Sequence, residues 1–196
     1  MKITVVHILL LFVTYTYAQK KIIESDKPYL KKYAKAIKKY NTDKDSITDP
    51  AEFYYQRGGI RQDYHDMEGA IKDYSKAIAI KPDNPKAYYN RGLAKLSSIL
   101  YNEAIIDFDK AIELDPKKTF AYNNRGICKF ELNDYEGALK DYDSAIALEN
   151  LGQAYHNRAV IKIKRGQTDE ACEDFHLAYK NGDKKSLISI KKNCCK

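Results

Sequence analysis

Ala121–Leu148 reads AYNNRGICKFELNDYEGALKDYDSAIAL, and it is the cleanest copy of a unit that recurs on both sides of it. Shifted by 34 residues, YYQRG (Tyr54–Gly58), YYNRG (Tyr88–Gly92) and YNNRG (Tyr122–Gly126) fall into register. YHNRA (Tyr155–Ala159) follows after 33, one residue being lost in the Glu149–Gly152 connection. GAIKDYSKAI, EAIIDFDKAI, GALKDYDSAI and EACEDFHLAY, starting at Gly69, Glu103, Gly137 and Glu170, align in the same way. A period of this length built from two helix-sized segments reads as a helix–turn–helix repeat.

The small residues say how the two segments meet. Gly58, Gly92, Gly126 and Ala159 sit in the first segment of each copy, and Ala70, Ala104, Ala138 and Ala171 open the second. Only residues this small let two helix backbones cross closely. Tyr74, Phe108, Tyr142 and Phe175 come four residues after those alanines, one turn on and therefore on the same face. Ala77, Ala111, Ala145 and Ala178 follow three later, giving each second helix a small–aromatic–small stripe. Pro82 and Pro116 end two of these helices, since proline cannot continue one. Asp66 and Asp134 stand at turns where an N-cap is wanted. One such unit cannot bury its own faces, so copies must stack.

Over Ala51 to about Gly182 this pattern resembles the tetratricopeptide repeat (TPR) family, with Tyr54, Tyr88, Tyr122 and Tyr155 at the family's usual aromatic position. The resemblance implies an all-α, right-handed solenoid of four helix pairs that binds peptides or proteins on its concave face. The expected units are 51–84, 85–118, 119–151 and 152–182, with capping helices at both ends. By repeat position, the groove would be lined by Tyr55, Gln56 and Gly59; Tyr89, Asn90 and Leu93; Phe120, Asn123, Asn124 and Ile127; and His156, Asn157 and Val160. Aromatics supply apolar area there, and amides supply both donor and acceptor for a peptide backbone. Relatives that grip a chaperone's C-terminal carboxylate use lysine, arginine and asparagine at fixed groove positions. Here only Asn90 matches, while Tyr55, Gly59, Phe120 and Asn124 occupy the others, so chaperone-tail binding is not expected.

Two charged sets repeat as faithfully as the small residues. Arg57, Arg91, Arg125 and Arg158 each precede the small residue of a first helix; Asp73, Asp107, Asp141 and Asp174 recur in the second helices. Repetition argues for a structural ladder, because an enzyme needs its acid once. An arginine surface for an acidic ligand is the competing reading. The four histidines are scattered, and neither a Gly-rich phosphate loop, HExxH nor Gly-x-Ser-x-Gly occurs. The expectation is a non-catalytic chain with no cofactor and no metal.

The ends differ from the repeats. Met1-Lys2, the apolar run Val5–Val13 and Thr16-Tyr17-Ala18 read as a signal peptide cleaved after Ala18, over residues 1–18. The run is short for a membrane-spanning helix, and an uncleaved anchor is the alternative. Export to the periplasm or the cell exterior follows from that reading, and with it no nucleic-acid partner. Residues 19–50 hold a linker and an amphipathic helix, Lys27–Tyr40 (KPYLKKYAKAIKKY), with Tyr29, Leu30, Tyr33, Ala34, Ile37 and Tyr40 on one face. It reads as a cap on the first repeat; its face is rich in tyrosine rather than leucine, which weighs against a membrane-surface role. Residues 183–196 hold a last short helix and a tail, with Leu187, Ile188 and Ile190 as its apolar face.

The formal charge of +7 is uneven. Residues 51–179 carry 18 Lys and Arg against 21 acids, while both flanks are net basic. Contact of those flanks with anionic lipid is not expected; solvated helix faces suffice. A structural subunit of an envelope assembly, using the convex face or the basic ends, is the alternative function.

Cysteines close the reading. Cys128, inside a first helix beside Ile127, reads as a buried core residue. Cys172 lies ten residues before Gly182 and Cys194 twelve after it. At about 1.5 Å per helical residue, two antiparallel arms turning at Gly182 bring both to one height. Cys172 is therefore expected to bond Cys194, or Cys195 if the last turn frays; four unpaired thiols are the alternative.

Overall fold

A computed structural model of the chain describes residues 28, 30–42 and 48–194. The expected leader, its cleavage point and the linker up to residue 26 lie outside the described residues. The chain divides into two units, Met1–Thr48 and Asp49–Lys196.

In the first unit a helix, α1, runs over residues 30–42. Its lysines are exposed; Tyr33, Ala36, Ile37 and Tyr40 are its half-buried positions. Leu30 and Ala34, expected on the apolar face, are exposed instead.

The second unit is an all-α repeat array. Four helix pairs follow one another: α2 (Pro50–Asp63) with α3 (Met67–Ile80), α4 (Pro85–Ser97) with α5 (Tyr101–Leu114), α6 (Thr119–Glu131) with α7 (Tyr135–Glu149), and α8 (Gly152–Lys164) with α9 (Thr168–Lys180). A short helix, α10 (Ser186–Asn193), closes the series. No strand occurs among the described residues. Each helix packs on its neighbours in sequence, and in the row of first helices α2 also touches α4, α4 touches α6 and α6 touches α8. The row of second helices makes no comparable contacts. The array therefore curves with the first helices on its inner side.

Local chemistry sets the helix ends. Asp49 and Asn84 accept backbone N–H bonds at the starts of α2 and α4, with Pro50 and Pro85 in the first helical position. Asp66 and Asp134 cap α3 and α7 through the amides of Gly69 and Gly137. The helices before Pro82 and Pro116 stop at Ile80 and Leu114. Each turn within a pair holds one left-handed residue: His65, Ile99, Asn133 and Gly166. Ile99 is β-branched, a poor fit to that conformation, and nothing in the structure explains its presence there.

The core is the predicted stripe. Ala70, Ala104, Ala138 and Ala171 are fully buried, as are Phe108 and, nearly so, Tyr74, Tyr142 and Phe175. A Cβ added at Gly58, Gly92 or Gly126 would lie 2.8, 2.8 or 2.6 Å from the ring of Tyr74, Phe108 or Tyr142. The first helix can rest on the aromatic of its own pair only because that carbon is missing. Ala159 takes the same place over Phe175 in the last pair.

Candidate functional site

Every second helix buries one carboxylate, and the structure surrounds it with cations. Arg57 and Asp73, Arg91 and Asp107, Arg125 and Asp141, and Arg158 and Asp174 form two-pronged bonds, with Nε and Nη2 each donating to one carboxylate oxygen at 2.5 to 2.9 Å. A second cation one turn further along the first helix joins each pair: Arg61 at 3.2 Å, Lys95 at 2.9 Å, Lys129 at 2.8 Å and Lys162 at 2.9 Å. The aspartate side chains are at most 4% exposed. Burying a carboxylate requires this; left alone it would cost several kcal/mol, on the order of a whole domain's margin. The same guanidinium groups lie over Tyr54, Tyr88, Tyr122 and Tyr155, at 5.4 to 5.6 Å from the ring centroids.

The arginines also reach backward. Nη1 of Arg91 donates to Ser75 at 3.0 Å, that of Arg125 to Asp109 at 2.6 Å, and that of Arg158 to Asp143 at 2.6 Å. Those acceptors belong to the second helix of the preceding pair, so each arginine ties two repeats together. The hydrogen bond to Asp174 holds the Arg158 guanidinium above its ordinary pKa, against the opposing effect of burial. These side chains are engaged with protein, which leaves little of them for a ligand.

The inner face carries a different row. Asn90 Nδ2 donates to the Tyr55 hydroxyl at 3.0 Å and Asn124 Nδ2 to the Tyr89 hydroxyl at 3.1 Å. Asn157 Nδ2 donates to Asn123 at 3.1 Å, and Asn123 to Asn124 at 3.3 Å. The two tyrosines pack on the aromatics of their own pairs, at 5.9 Å between centroids in each case. Burial raises the pKa of both hydroxyls; the amide bond each accepts lowers it in part. Tyr89 and Leu93 lean on the core around Phe108, and Tyr55 lines a shallow cleft with Gln56. Phe120 stands at the first turn of α6, 47% exposed.

Asn123 departs from the expectation of a groove surface residue: it is 1% exposed. It occupies the position that Tyr55 and Tyr89 hold in earlier repeats, and a shorter side chain there does not reach the rim. Its amide instead links Asn157 to Asn124.

At the C-terminal end of the row, Asn124, Ile127, Asn157, His156 and Gln153 line a cleft of about 360 Å³ together with Asp183 and Lys185. Sequence reasoning missed Gln153, Asp183 and Lys185. The latter two come from the connection before α10, which no periodicity describes. His156 Nδ1 lies 2.7 Å from the Ser186 hydroxyl and 3.1 Å from Asp183 Oδ2, while Ser186 donates to the same carboxylate oxygen at 2.5 Å. Serine, histidine and aspartate here do not form a hydrolytic triad. Both partners converge on one ring nitrogen, and Ser186 is fully buried, away from any substrate. The imidazole also sits edge-on to Phe175, at 5.3 Å. The cluster anchors the last helix to the fourth repeat.

A disulfide joins Cys172 of α9 to Cys194 at the end of α10, with 5.6 Å between the Cα atoms. Cys128 is buried, which pushes its thiol up to about 12. Among the described residues, no group of three or more His, Cys, Asp or Glu side chains converges on a metal position. No described helix is long and apolar enough to cross a membrane.

Family models match within the array: a TPR repeat over residues 66–97 and a tetratricopeptide repeat over 85–118 and again over 119–149. No curated protein matches the chain in sequence. Among solved structures, the first TPR of Spaghetti (RPAP3), bound to the HSP90 peptide SRMEEVD, is 27% identical, with a TM-score of 0.59; the match covers 61% of this chain and 96% of that one. The OM64 TPR domain of Arabidopsis is 26% identical, with a TM-score of 0.57, 59% of this chain and 96% of that one being covered. MamA superposes with a TM-score of 0.70 at 22% identity, over 79% of this chain and 91% of that one, a likeness of fold alone. Matching family models and the recurring small–aromatic packing agree: the chain carries tetratricopeptide repeats over residues 66–149.

Proposed function

We propose that the chain is a non-catalytic interaction module that holds a peptide or extended protein segment along the inner row of first helices. The observation that carries this reading is the continuous amide row. Asn90, Asn124 and Asn157 each spend one N–H on a neighbouring repeat and so are fixed in orientation, while each amide keeps a second N–H. Oriented amides at successive repeats suit an extended backbone, whose own donors and acceptors recur regularly. The bound peptide in the Spaghetti TPR structure supports a partner of this class. The residues that would grip a chaperone tail are replaced here, apart from Asn90, so the ligand is of another sequence.

A photo-crosslinking side chain at position 120 tests the groove. Phe120 is exposed on the inner row, and Ile106, 67% exposed on α5, supplies the outer-face control. In the native host, position 120 is expected to capture a partner and position 106 is not. Capture from 106 alone would favour the envelope-assembly reading.

Export belongs to the same proposal, resting on the composition of residues 1–18. It gives the Cys172–Cys194 bond a compartment in which disulfides persist. Peptide mapping without reduction, on protein recovered from outside the cytoplasm, is expected to find a new N-terminus at Gln19 and a Cys172–Cys194 linked pair. Cys128 should resist alkylation until the protein is denatured. An unlinked Cys172 peptide would remove the staple from the account.

A further inference from the structure

We propose that the outer face of α10 docks on an anionic membrane surface and tethers the C-terminal end of the array there. The proposal is independent of the groove and its ligand. The sequence pattern gives α10 the apolar face Leu187, Ile188 and Ile190, but only Ile190 packs, against Ala159, Ala171 and Phe175. Leu187 is 39% exposed and Ile188 72%. Lys185, directly before the helix, already has right-handed helical backbone angles, and the amides of Leu187 and Ile188 donate to the carbonyls of Lys184 and Lys185. Ile188 lies four residues after Lys184 and four before Lys192, and Leu187 four before Lys191, so these five share one side. Lys184, Lys185, Lys191 and Lys192 are exposed, and no ion pair to them occurs among the described residues. Solvated lysines alone would make an ordinary wet face; an aliphatic pair exposed among them does not fit that account.

Carboxylates border this face without entering it. Asp183 stands before Lys184, with the Ser186 hydroxyl and His156 beside it. Asp169 and Glu173 of α9 line a cleft on the flank where Asn193 and Cys194 sit. Glu170 and Asp174 face Lys162, at 3.8 and 2.9 Å. With Lys180 at the end of α9, five lysines stand against Asp169, Glu173 and Asp183, and this end of the array is net positive.

Eight residues are too few to hold a helix in water alone. α10 is instead pinned along its inner side: Ser186 is fully buried and bonded to His156 and Asp183, Ile190 is packed, and Cys194 is joined to Cys172. The outer face is therefore formed before it meets any surface, and docking has no helix to order. Its chemistry favours a bilayer over a soluble polyanion. Lysines answer anionic headgroups in either case, but Ile188 gains only where an apolar layer lies beneath those headgroups. No described helix is long and apolar enough to cross a membrane, so the contact is peripheral.

Sedimentation with vesicles tests this on protein recovered from outside the cytoplasm. The readout is partitioning into phosphatidylcholine–phosphatidylglycerol vesicles relative to phosphatidylcholine alone, so that any apolar contact common to both cancels. A preference of at least about a hundredfold for the anionic vesicles is expected, falling as salt is raised. Lys191→Gln combined with Lys192→Gln should cut that preference about 25-fold, at about fivefold per lysine. Ile188→Ser should cut partitioning into the anionic vesicles about tenfold with no change of charge. All these side chains are exposed, and circular dichroism should show the same helical signal in each variant. Lys31→Gln combined with Lys32→Gln, exposed on α1, is the control and should leave the preference in place. Equal partitioning into the two kinds of vesicle overturns the proposal. A preference lost with the α1 pair but kept without Lys191 and Lys192 also overturns it, and moves the contact to α1. Partitioning that ignores Ile188→Ser overturns the membrane reading in favour of a soluble acidic partner held by charge alone.

Discussion

Ala104→Glu is expected to abolish the cooperative thermal transition of the array. Ala104 is fully buried where α5 meets the first helix of its pair, one turn before Phe108 on the same face. A glutamate there must either displace a helix or hold its carboxylate without water or a cation. Core charges of this kind cost about 4–5 kcal/mol or more, against a typical domain stability of about 5–15 kcal/mol. Neighbouring repeats lean on one another, so the damage would not stay in one pair. Ala138→Glu, equally buried, should do the same. The exposed change Lys140→Glu is the control and should shift the circular dichroism melt little. An unchanged melting temperature for Ala104→Glu would mean that the helix register is wrong.

The second large effect belongs to Asp141. It holds Arg125 through both oxygens and Lys129 at 2.8 Å, with 4% of its side chain exposed. Asp141→Ala removes the anion and leaves two cations pointing at the gap. Stranding a buried charge costs about 3–5 kcal/mol. Arg125 keeps its bond to Asp109, and Arg125 and Lys129 keep 17% and 22% of their side-chain surface, so part of this is recovered, and a loss of about 3 kcal/mol, the low end of that range, is expected. Lys72→Ala breaks a pair of the same charges on the surface, where Lys72 and Glu68 are 65% and 82% exposed. It should change stability by no more than about 0.5 kcal/mol. Urea denaturation of the two variants side by side reads the difference. Similar losses from both would show that the buried aspartates are not what holds the first helices in place.

Much of this was legible in the sequence because the chain repeats itself. Period and small–aromatic spacing together fix which face of each helix is inside, and four copies average out local noise. The Arg and Asp sets stood out for the same reason. Their third member was harder to see, since Arg61, Lys95, Lys129 and Lys162 share a charge but not an identity. The left-handed turn position was invisible: His65, Ile99, Asn133 and Gly166 have no chemistry in common, and the tight closure of each pair imposes the conformation. Burial of Asn123 needed side-chain length as well as position. The cleft around His156 was half visible, because its first-helix residues recur while Asp183, Lys185 and Ser186 occur once, outside any repeat.

The bonds that hold the array are all short in sequence. Each arginine meets an aspartate 16 residues on, and its backward reach spans 15 or 16. The inner amide row spans 34 or 35, and the disulfide 22. Nothing in this unit requires distant parts of the chain to find one another. Proteins with such low contact order fold quickly, and structure can spread from any neighbouring pair of units. A polypeptide emerging end-first could therefore acquire its shape progressively, each new segment docking on the one before it. Its length is set by copy number alone, and whole units could be gained or lost without inventing a new kind of contact.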